Sequence, residues 1–157
     1  MFRTTLLIAL LFAVASGAHA GAPPELDVPF NVIVEPEPGT LDEVYDLVIR
    51  DSDRWRQFWE RLHPETPVPP IDFAERMVAV VSMGTPPFGG TDILVPRVTR
   101  SLGNGIRSLL VTIHVTEVRP GKACVIFEPF RTTYKLVDMG RSSDVTLRRR
   151  TVYRSCR

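Results

Sequence analysis

The side chains that could carry out chemistry are few and widely spaced in this sequence. A catalytic site needs a nucleophile, a base and a group that stabilises developing charge. Neither a Gly-x-Ser-x-Gly elbow nor a His-Glu-x-x-His motif occurs, and the candidate acid–base groups are His63, His114 and the carboxylates of Asp72 and Glu75. Acids one turn apart are common as caps, and Asp72 suits a turn in which its side chain bonds nearby backbone. We therefore predict a protein without enzyme activity, metal or cofactor.

Both of these histidines have simple structural interpretations. His114 lies in an alternating apolar–polar stretch, on the face opposite Ile113, which predicts an exposed or half-buried position on a sheet. His63 ends a predicted helix, where a protonated imidazole would complement the helix dipole without a catalytic role.

The segment 84–90 is rich in glycine and proline and is the least ordinary part of the chain. A phosphate-binding loop would end in Gly-Lys-Ser/Thr, whereas this segment is followed by Thr91 and Asp92, so phosphate binding is not predicted. The side chain of Phe88 either extends from the loop tip as a contact surface or folds back into the core. The candidate partner-contact residues are Pro86, Pro87, Phe88, Gly89 and Gly90.

The N-terminal residues 1–20 have the features of a cleavable signal peptide. Arg3 supplies a positive charge, and the apolar core at 6–15 is about half of the ~20 residues that span a bilayer. Ala18 and Ala20 place small side chains at the positions that a signal peptidase requires. We predict export to the periplasm or the extracellular space, with no stable membrane insertion after cleavage. The alternative is an uncleaved N-terminal anchor.

The cysteine content agrees with an exported protein. Cys124 and Cys156 are the two cysteines of the chain, and an oxidising compartment favours a disulfide between them. A metal site would need further ligands at suitable spacing, which the sequence does not offer. The sequence leaves open whether the two cysteines pair within one chain or between chains.

Charge is balanced overall but unevenly distributed. The formal net charge is +1, which argues against nucleic-acid binding. Residues 25–51 are strongly acidic, whereas residues 141–157 are rich in arginine. Either these two stretches lie side by side and neutralise each other, or the arginines form a basic patch for an anionic partner.

The clearest element that the sequence predicts is a helix over 53–63. An apolar stripe recurs at helical spacing, and Asp51 or Ser52 is placed to cap the N-terminus. The stripe packs against a sheet or, as the alternative, forms an aromatic site for a small apolar or anionic ligand. Its members are Trp55, Phe58, Trp59 and Leu62.

Strand patterns surround this helix. Residues 21–43 form a proline- and acid-rich extended lead-in, with at most an edge strand at 32–34. The near-continuous apolar run 77–83 predicts a central strand buried on both faces, and Pro96 predicts an edge strand or a bulge at 93–99. Gly103-Asn104-Gly105 predicts a hairpin turn. Further strands are expected at 44–49, 109–118, 125–127, 134–137 and 145–153.

Four short motifs occur in an order that resembles the PrcB-like family of exported proteins. Trp55-x-x-Phe58-Trp59 on the predicted helix is followed by Pro69-Pro70-Ile71-Asp72-Phe73. An apolar strand ending in glycine, 77–84, and the pair Gly89-Gly90 complete the match. The chain differs from the family in lacking a lipid-attachment cysteine, in having Thr91 after the glycine pair, and in its arginine-rich tail.

The resemblance implies a non-catalytic protein that stabilises or assists a secreted protease, since the family is related to a subunit of a bacterial surface protease complex. The expected organisation is a signal peptide (1–20), a lead-in (21–43) and a single PrcB-like domain (44–157). The expected fold class is α+β, with a mostly antiparallel sheet and one short amphipathic helix on one face. The expected function is binding of another exported protein, at the 84–90 loop or an exposed sheet edge. The alternative is a small-ligand site between helix and sheet.

Overall fold

The computed structural model describes residues 24–33, 41, 43–85, 89–102, 109–125 and 133–155. The predicted signal peptide lies outside these residues, as does the predicted turn at 103–105. Strands and one helix alternate along the described chain in the following order: β1 (Leu26–Asp27), β2 (Phe30–Ile33), β3 (Val44–Ile49), α1 (Ser52–Leu62), β4 (Arg76–Met83), β5 (Asp92–Leu102), β6 (Leu109–Pro120), β7 (Tyr134–Gly140) and β8 (Asp144–Arg154).

The strands form two four-stranded sheets that pack face to face. Sheet A has the order β1-β5-β6-β8, and sheet B has the order β2-β7-β4-β3. Every described pair is antiparallel except β6–β8, which is parallel. The prediction of an α+β fold with mostly antiparallel strands and one short helix is confirmed. The division of the strands into two sheets is a feature that the sequence did not indicate.

Strand β4 is the centre of the molecule because both of its faces are buried. Its odd-numbered side chains, such as Met77 and Val81, join an apolar core with sheet A residues that include Val98 and Ile113. Its even-numbered residues Val78 and Val80 belong to a second core beneath α1. The structure therefore has three layers, sheet A, sheet B and helix α1, and the continuous apolar pattern of β4 follows from its place in the middle layer.

Helix α1 begins where the sequence predicts. Asp51 is the N-cap, and its carboxylate accepts a hydrogen bond from the backbone N–H of Arg54 at 2.9 Å. Trp55, Phe58 and Trp59 are buried against sheet B, and Leu62 is half-buried. The helix ends at its C-cap His63, directly before a proline that cannot continue it.

We expect the substitution Asp51→Ala to lower the free energy of unfolding by about 1 kcal/mol, because it leaves an N–H group of the first helical turn without its acceptor. Asp51→Asn is the matched control, since an asparagine side chain caps equally well and should change stability little. Urea denaturation followed by circular dichroism measures both. Equal losses in the two variants would show that the charge of Asp51, rather than its cap, stabilises the helix.

The proline in β5 coincides with a break in the strand. The pairing of β5 with β6 shifts register between Leu94 and Arg97, which places Pro96 in the irregular segment. Strand β1 pairs only with Thr99 and Arg100, so Pro96 leaves no hydrogen bond to β1 unmade. Of the two predicted alternatives, the bulge describes β5, which is an inner strand of sheet A.

The lead-in 21–43 contributes two short edge strands rather than the single one predicted at 32–34, because β1, with two residues, is too short to leave a pattern in the sequence. β1 lies at an edge of sheet A and β2 at an edge of sheet B, where Phe30–Ile33 pairs with β7. The predicted strand at 125–127 is described only at Val125, which is exposed and lies outside any strand.

The acidic and arginine-rich stretches lie side by side, as one of the two sequence interpretations expected. Arg149 of β8 forms an ion pair with Asp46 of β3 and donates to Glu117 of β6 at 3.0 Å. It also donates to the backbone carbonyl of Ser82 at 3.1 Å. These contacts join the two sheets at one end of the core between them. Arg149 therefore has a structural role, which leaves the other arginines of β8 as candidates for binding.

Candidate functional site

The outer face of sheet A carries polar side chains where its inner face carries apolar ones. Because side chains alternate along a strand, the neighbours of the core residues Val111, Ile113 and Val115 project outward from β6. His114 is the central one of these, and its register partners are Arg97 on β5 and Arg148 on β8. We call these three side chains the His114 row.

The side chain of Glu25 lies over the His114 row. Its Oε2 atom is 3.6 Å from an Nη atom of Arg97 and 3.8 Å from Nε2 of His114, and its Oε1 atom is 3.8 Å from an Nη atom of Arg148. Asp27 adds a second carboxylate 3.2 Å from Nε of Arg97. One carboxylate of the N-terminal segment therefore contacts all three members of the row.

His114 is held in place by a hydrogen bond with Thr99, whose Oγ1 atom lies 2.9 Å from Nε2 of the ring. Burial lowers the pKa of His114 below its ordinary value, and the charges of Arg97 and Arg148 lower it further, while Glu25 acts in the opposite direction. The imidazole is therefore neutral at neutral pH, and the positive charge of the row belongs to the two arginines.

This geometry does not suit a catalytic relay. In a Ser-His-Asp type of site, the hydroxyl and the carboxylate contact different nitrogens of the imidazole. Here both the Thr99 hydroxyl and the nearest Glu25 oxygen approach the same atom, Nε2 of His114. Thr99 is also 1% exposed, so its hydroxyl cannot reach a substrate. The arrangement suits the binding of an anion rather than the activation of a nucleophile.

Strand β8 borders this face and ends sheet A. It has eleven residues and pairs on one side with β6 along its whole length, while no strand of the described chain pairs with its other side. Arg148, Arg150 and Arg154 are exposed at alternating positions on the same face. Within the described residues, Arg150 and Arg154 have no acidic partner; the Nε atom of Arg150 instead donates to Thr116 at 2.9 Å. Among the described residues, the edge of β8 is therefore both unpaired and basic.

The predicted contact loop is only partly described. Pro86, Pro87 and Phe88 lie outside the described residues, so their predicted contact role stays a prediction. Gly84 and Gly90 have positive φ angles of 66° and 69°, a conformation that favours glycine over other residues. Gly89 is buried. The positive φ angles of Gly84 and Gly90 thus explain why glycine stands at these two positions of the family pattern.

The aromatic stripe of α1 is used for packing. The indole N–H of Trp55 donates to the carbonyl of Pro69 at 2.9 Å, and that of Trp59 donates to the carbonyl of Thr66 at 3.0 Å. Both side chains are at most 2% exposed. Since both indole N–H groups are bonded within the chain, neither is available to a ligand, which disfavours the alternative of a ligand site between helix and sheet.

The other candidate acid–base residues do not form one site: Asp72 and Glu75 share a turn, in which the backbone N–H of Glu75 donates to the carbonyl of Asp72 at 3.1 Å, and His63 belongs to another element. Asp72 forms the predicted turn, because its carboxylate accepts from the backbone N–H of Ala74 at 3.0 Å. His63 lies at the C-terminus of α1, where its Nε2 atom is 3.0 Å from the hydroxyl of Tyr134. Its ring is tilted by 40° against that of Trp59, with the ring centroids 4.5 Å apart. The expectation of a protonated imidazole is wrong, because burial lowers the pKa of His63.

The lowered pKa of His63 predicts a pH dependence of stability. An unfolded chain binds a proton to this group at a higher pH than the folded chain does, so the free energy of unfolding falls as the pH drops below about 6.5. We expect His63→Gln to lose less stability than the wild type between about pH 7 and pH 5. Urea denaturation across this range tests it. Equal losses in both proteins would mean that His63 does not contribute.

The predicted disulfide stays a prediction because Cys156 lies outside the described residues. The Sγ atom of Cys124 is 3.5 Å from the backbone carbonyl oxygen of Arg154, which is two positions before Cys156 in the sequence. The backbone N–H of Gly121 donates to the same carbonyl at 2.9 Å. The turn that carries Cys124 therefore lies beside the end of β8.

No group of three or more metal-ligating side chains occurs among the described residues. Over the same part of the chain, no helix is long and apolar enough to cross a membrane. In comparisons with known proteins, no family model, no curated protein and no solved structure matches the chain. The resemblance to the PrcB-like family accordingly rests on the sequence motifs alone.

Proposed function

We propose that the mature chain is an exported, non-catalytic protein-binding domain that receives an extended acidic segment of another exported protein along β8. The observation that carries the proposal is the open, arginine-rich edge of this strand. An edge strand presents unpaired backbone N–H and C=O groups, to which an extended segment can add as a further strand.

The side chains of β8 specify the chemistry of the added segment. Every second residue of a strand faces the same way, so Arg148, Arg150 and Arg154 share the outer face, with Val152 between the last two. A partner strand with acidic side chains at alternate positions would place carboxylates beside these arginines. Arginine pairs especially well with carboxylates because its planar group can donate two parallel hydrogen bonds.

Long exposed edge strands usually carry features that prevent pairing with other strands. In β8 these features are arginines, which oppose only some kinds of added strand. Charged side chains on an edge strand oppose the addition of apolar or basic strands. The arginines of β8 would repel a second basic strand and would attract an acidic one, so the edge discriminates by charge. Tyr153 is 71% exposed at the end of the strand and offers an aromatic surface to the same partner.

The resemblance to the PrcB-like family supports a secreted protease as the protein that carries the acidic segment. In this proposal the chain stabilises or assists the protease and performs no chemistry itself. The non-catalytic part of the proposal is supported by His114, because the Thr99 hydroxyl and the Glu25 carboxylate approach the same ring nitrogen, Nε2, and cannot form a catalytic relay through the ring.

The direct test is the binding of a fluorescein-labelled peptide that alternates glutamate and threonine, measured by fluorescence anisotropy. We expect the double variant Arg150→Glu/Arg154→Glu to bind this peptide at least about tenfold more weakly than the wild type, since each reversal turns an attraction into a repulsion. A peptide with glutamine in place of glutamate should bind to neither protein. Added salt should weaken binding to the wild type.

The matched control is Arg56→Glu/Arg61→Glu, which reverses two exposed arginines of α1 and changes the net charge by the same amount. It should bind the acidic peptide within about twofold of the wild type if the site is local. Equal weakening by the two double variants would show that only net charge matters and would overturn the proposal.

The identity of the partner is tested by capture from a cell-envelope extract with the tagged mature chain. A stoichiometric exported protease that is retained by the wild type and lost with Arg150→Glu/Arg154→Glu supports the family inference. Retention by both proteins argues against β8 as the contact. The predicted role of Phe88 is tested in the same experiment with Phe88→Asp, which should lose the partner if the loop also contacts it.

A further inference from the structure

The position of Glu25 has a consequence for the binding of an acidic partner. We infer that Arg97, His114 and Arg148 form a carboxylate site that the chain's own Glu25 fills in the free protein, and that a carboxylate of the partner segment, bound beside β8, takes the place of Glu25 on Arg148. The inference rests on the proposed function in taking the partner segment to be acidic. It adds that the N-terminal segment competes with the partner.

Glu25 occupies the site loosely. Its contacts with the three members of the His114 row range from 3.6 to 3.8 Å, which is longer than the 2.7–2.9 Å of a charge-assisted hydrogen bond. The Glu25 side chain is 33% exposed. A partner carboxylate that approaches Arg148 more closely would therefore gain a hydrogen bond that Glu25 does not make.

The segment that carries Glu25 is held by few interactions. β1 has only two residues, and it pairs with β5 at only two positions. Leu26 is 56% exposed, so the segment buries little apolar surface before Val28, whose backbone N–H donates to Val98 at 2.8 Å. Segments with few buried contacts open at low cost in free energy. Residues 24–27 can thus leave the sheet while Val28 stays attached.

Arg148 connects this site to the proposed partner surface. It is the member of the row that belongs to β8, and Glu25 is its only acidic contact within the described residues. Arg97, in contrast, also pairs with Asp27. When Glu25 is in place, the guanidinium group of Arg148 contacts the Glu25 carboxylate. When Glu25 leaves, this guanidinium group becomes available to the partner.

The two carboxylates therefore compete for one guanidinium group. A partner that needs Arg148 binds only the form of the protein in which Glu25 has left the site. Its apparent affinity is therefore lower than its affinity for that form, in proportion to how rarely that form is populated. Removing the Glu25 carboxylate should raise the affinity. Couplings between sites typically correspond to changes of about fivefold or more.

The experiment measures binding of the labelled glutamate–threonine peptide to the full mature chain and its variants by fluorescence anisotropy. We expect Glu25→Gln to bind the peptide about five- to tenfold more tightly than the wild type. Glu65→Gln is the matched control, because it makes the same substitution at an exposed side chain that contacts no member of the His114 row. It should change the affinity by less than about twofold.

A double-mutant cycle isolates the competition at Arg148. In the Arg148→Ala background, Glu25→Gln should no longer raise the affinity, because the group for which the carboxylates compete is absent. Circular dichroism of each variant confirms that it is folded before binding is measured. Equal gains from Glu25→Gln and Glu65→Gln, or a gain that persists in the Arg148→Ala background, would overturn the inference.

Failure of this inference is distinguishable from failure of the proposed function. If the peptide binds the wild type and is lost with Arg150→Glu/Arg154→Glu, while Glu25→Gln has no effect, the β8 site stands and the competition by Glu25 is refuted. If the peptide binds none of the proteins, both are refuted.

Discussion

Replacement of Trp59 by alanine should lower the free energy of unfolding by about 3–5 kcal/mol, which is the range for large buried aromatic side chains. Trp59 is 1% exposed and lies at the centre of the core between α1 and sheet B. The centroid of its ring lies 5.3 Å from that of Trp55 and 4.5 Å from that of His63. The substitution also removes the hydrogen bond to Thr66 and leaves that carbonyl without its indole donor.

Urea denaturation followed by far-ultraviolet circular dichroism measures this loss without depending on tryptophan fluorescence. Tyr153→Ala is the matched control, since this aromatic side chain is 71% exposed and its removal should change stability by less than about 0.5 kcal/mol. A loss below about 1 kcal/mol for Trp59→Ala would mean that α1 does not pack on sheet B as described.

Replacement of Arg149 by alanine should lower the free energy of unfolding by about 1–3 kcal/mol, because it removes charge-assisted bonds to Asp46 and Glu117 and the bond to the Ser82 carbonyl. Burial alone would lower the pKa of Arg149, but its bonds to Asp46 and Glu117 outweigh burial and raise it. Burial would likewise raise the pKa of Glu117, and the bonds from Arg119 and Arg149 instead lower it. The arginine side chain is 22% exposed.

Arg148→Ala is the matched control for Arg149→Ala, because the neighbouring side chain is 68% exposed and exposed ion pairs contribute about 0–1 kcal/mol. Equal destabilisation by the two alanine variants would contradict the division of β8 into a structural inner face and an available outer face.

The features that the sequence predicts correctly are those with a strong local signal. The stripe of Trp55, Phe58 and Trp59 predicts α1 because its spacing fits only a helix, and Asp51 marks its start. The unbroken apolar run of β4 predicts a strand buried on both faces. Pro96 predicts the irregularity in β5 because proline cannot donate a hydrogen bond to a neighbouring strand.

The features that the sequence does not predict depend on contacts between distant parts of the chain. The parallel pairing of β8 with β6 arises because β7, which separates them in sequence, lies in the other sheet. The same topology brings Arg97, His114 and Arg148 into one row. Charge asymmetry between the two ends of the chain is the available signal, but it is compatible both with pairing of the two stretches and with a basic patch for a partner, and it does not show which residues pair. The sequence predicts a charged His63 because a position at a helix end does not reveal that the side chain is buried, and burial lowers its pKa.

The central claim is that an acidic segment adds to sheet A along β8, and hydrogen–deuterium exchange of the mature chain with and without the glutamate–threonine peptide tests it most directly. A segment that pairs with β8 must protect the backbone N–H groups of this strand that point away from β6. The account predicts slower exchange within residues 146–154 on peptide binding, with α1 and β3 unchanged. Saturating peptide that leaves exchange in β8 unchanged, or that protects α1 or β3 instead, would contradict it.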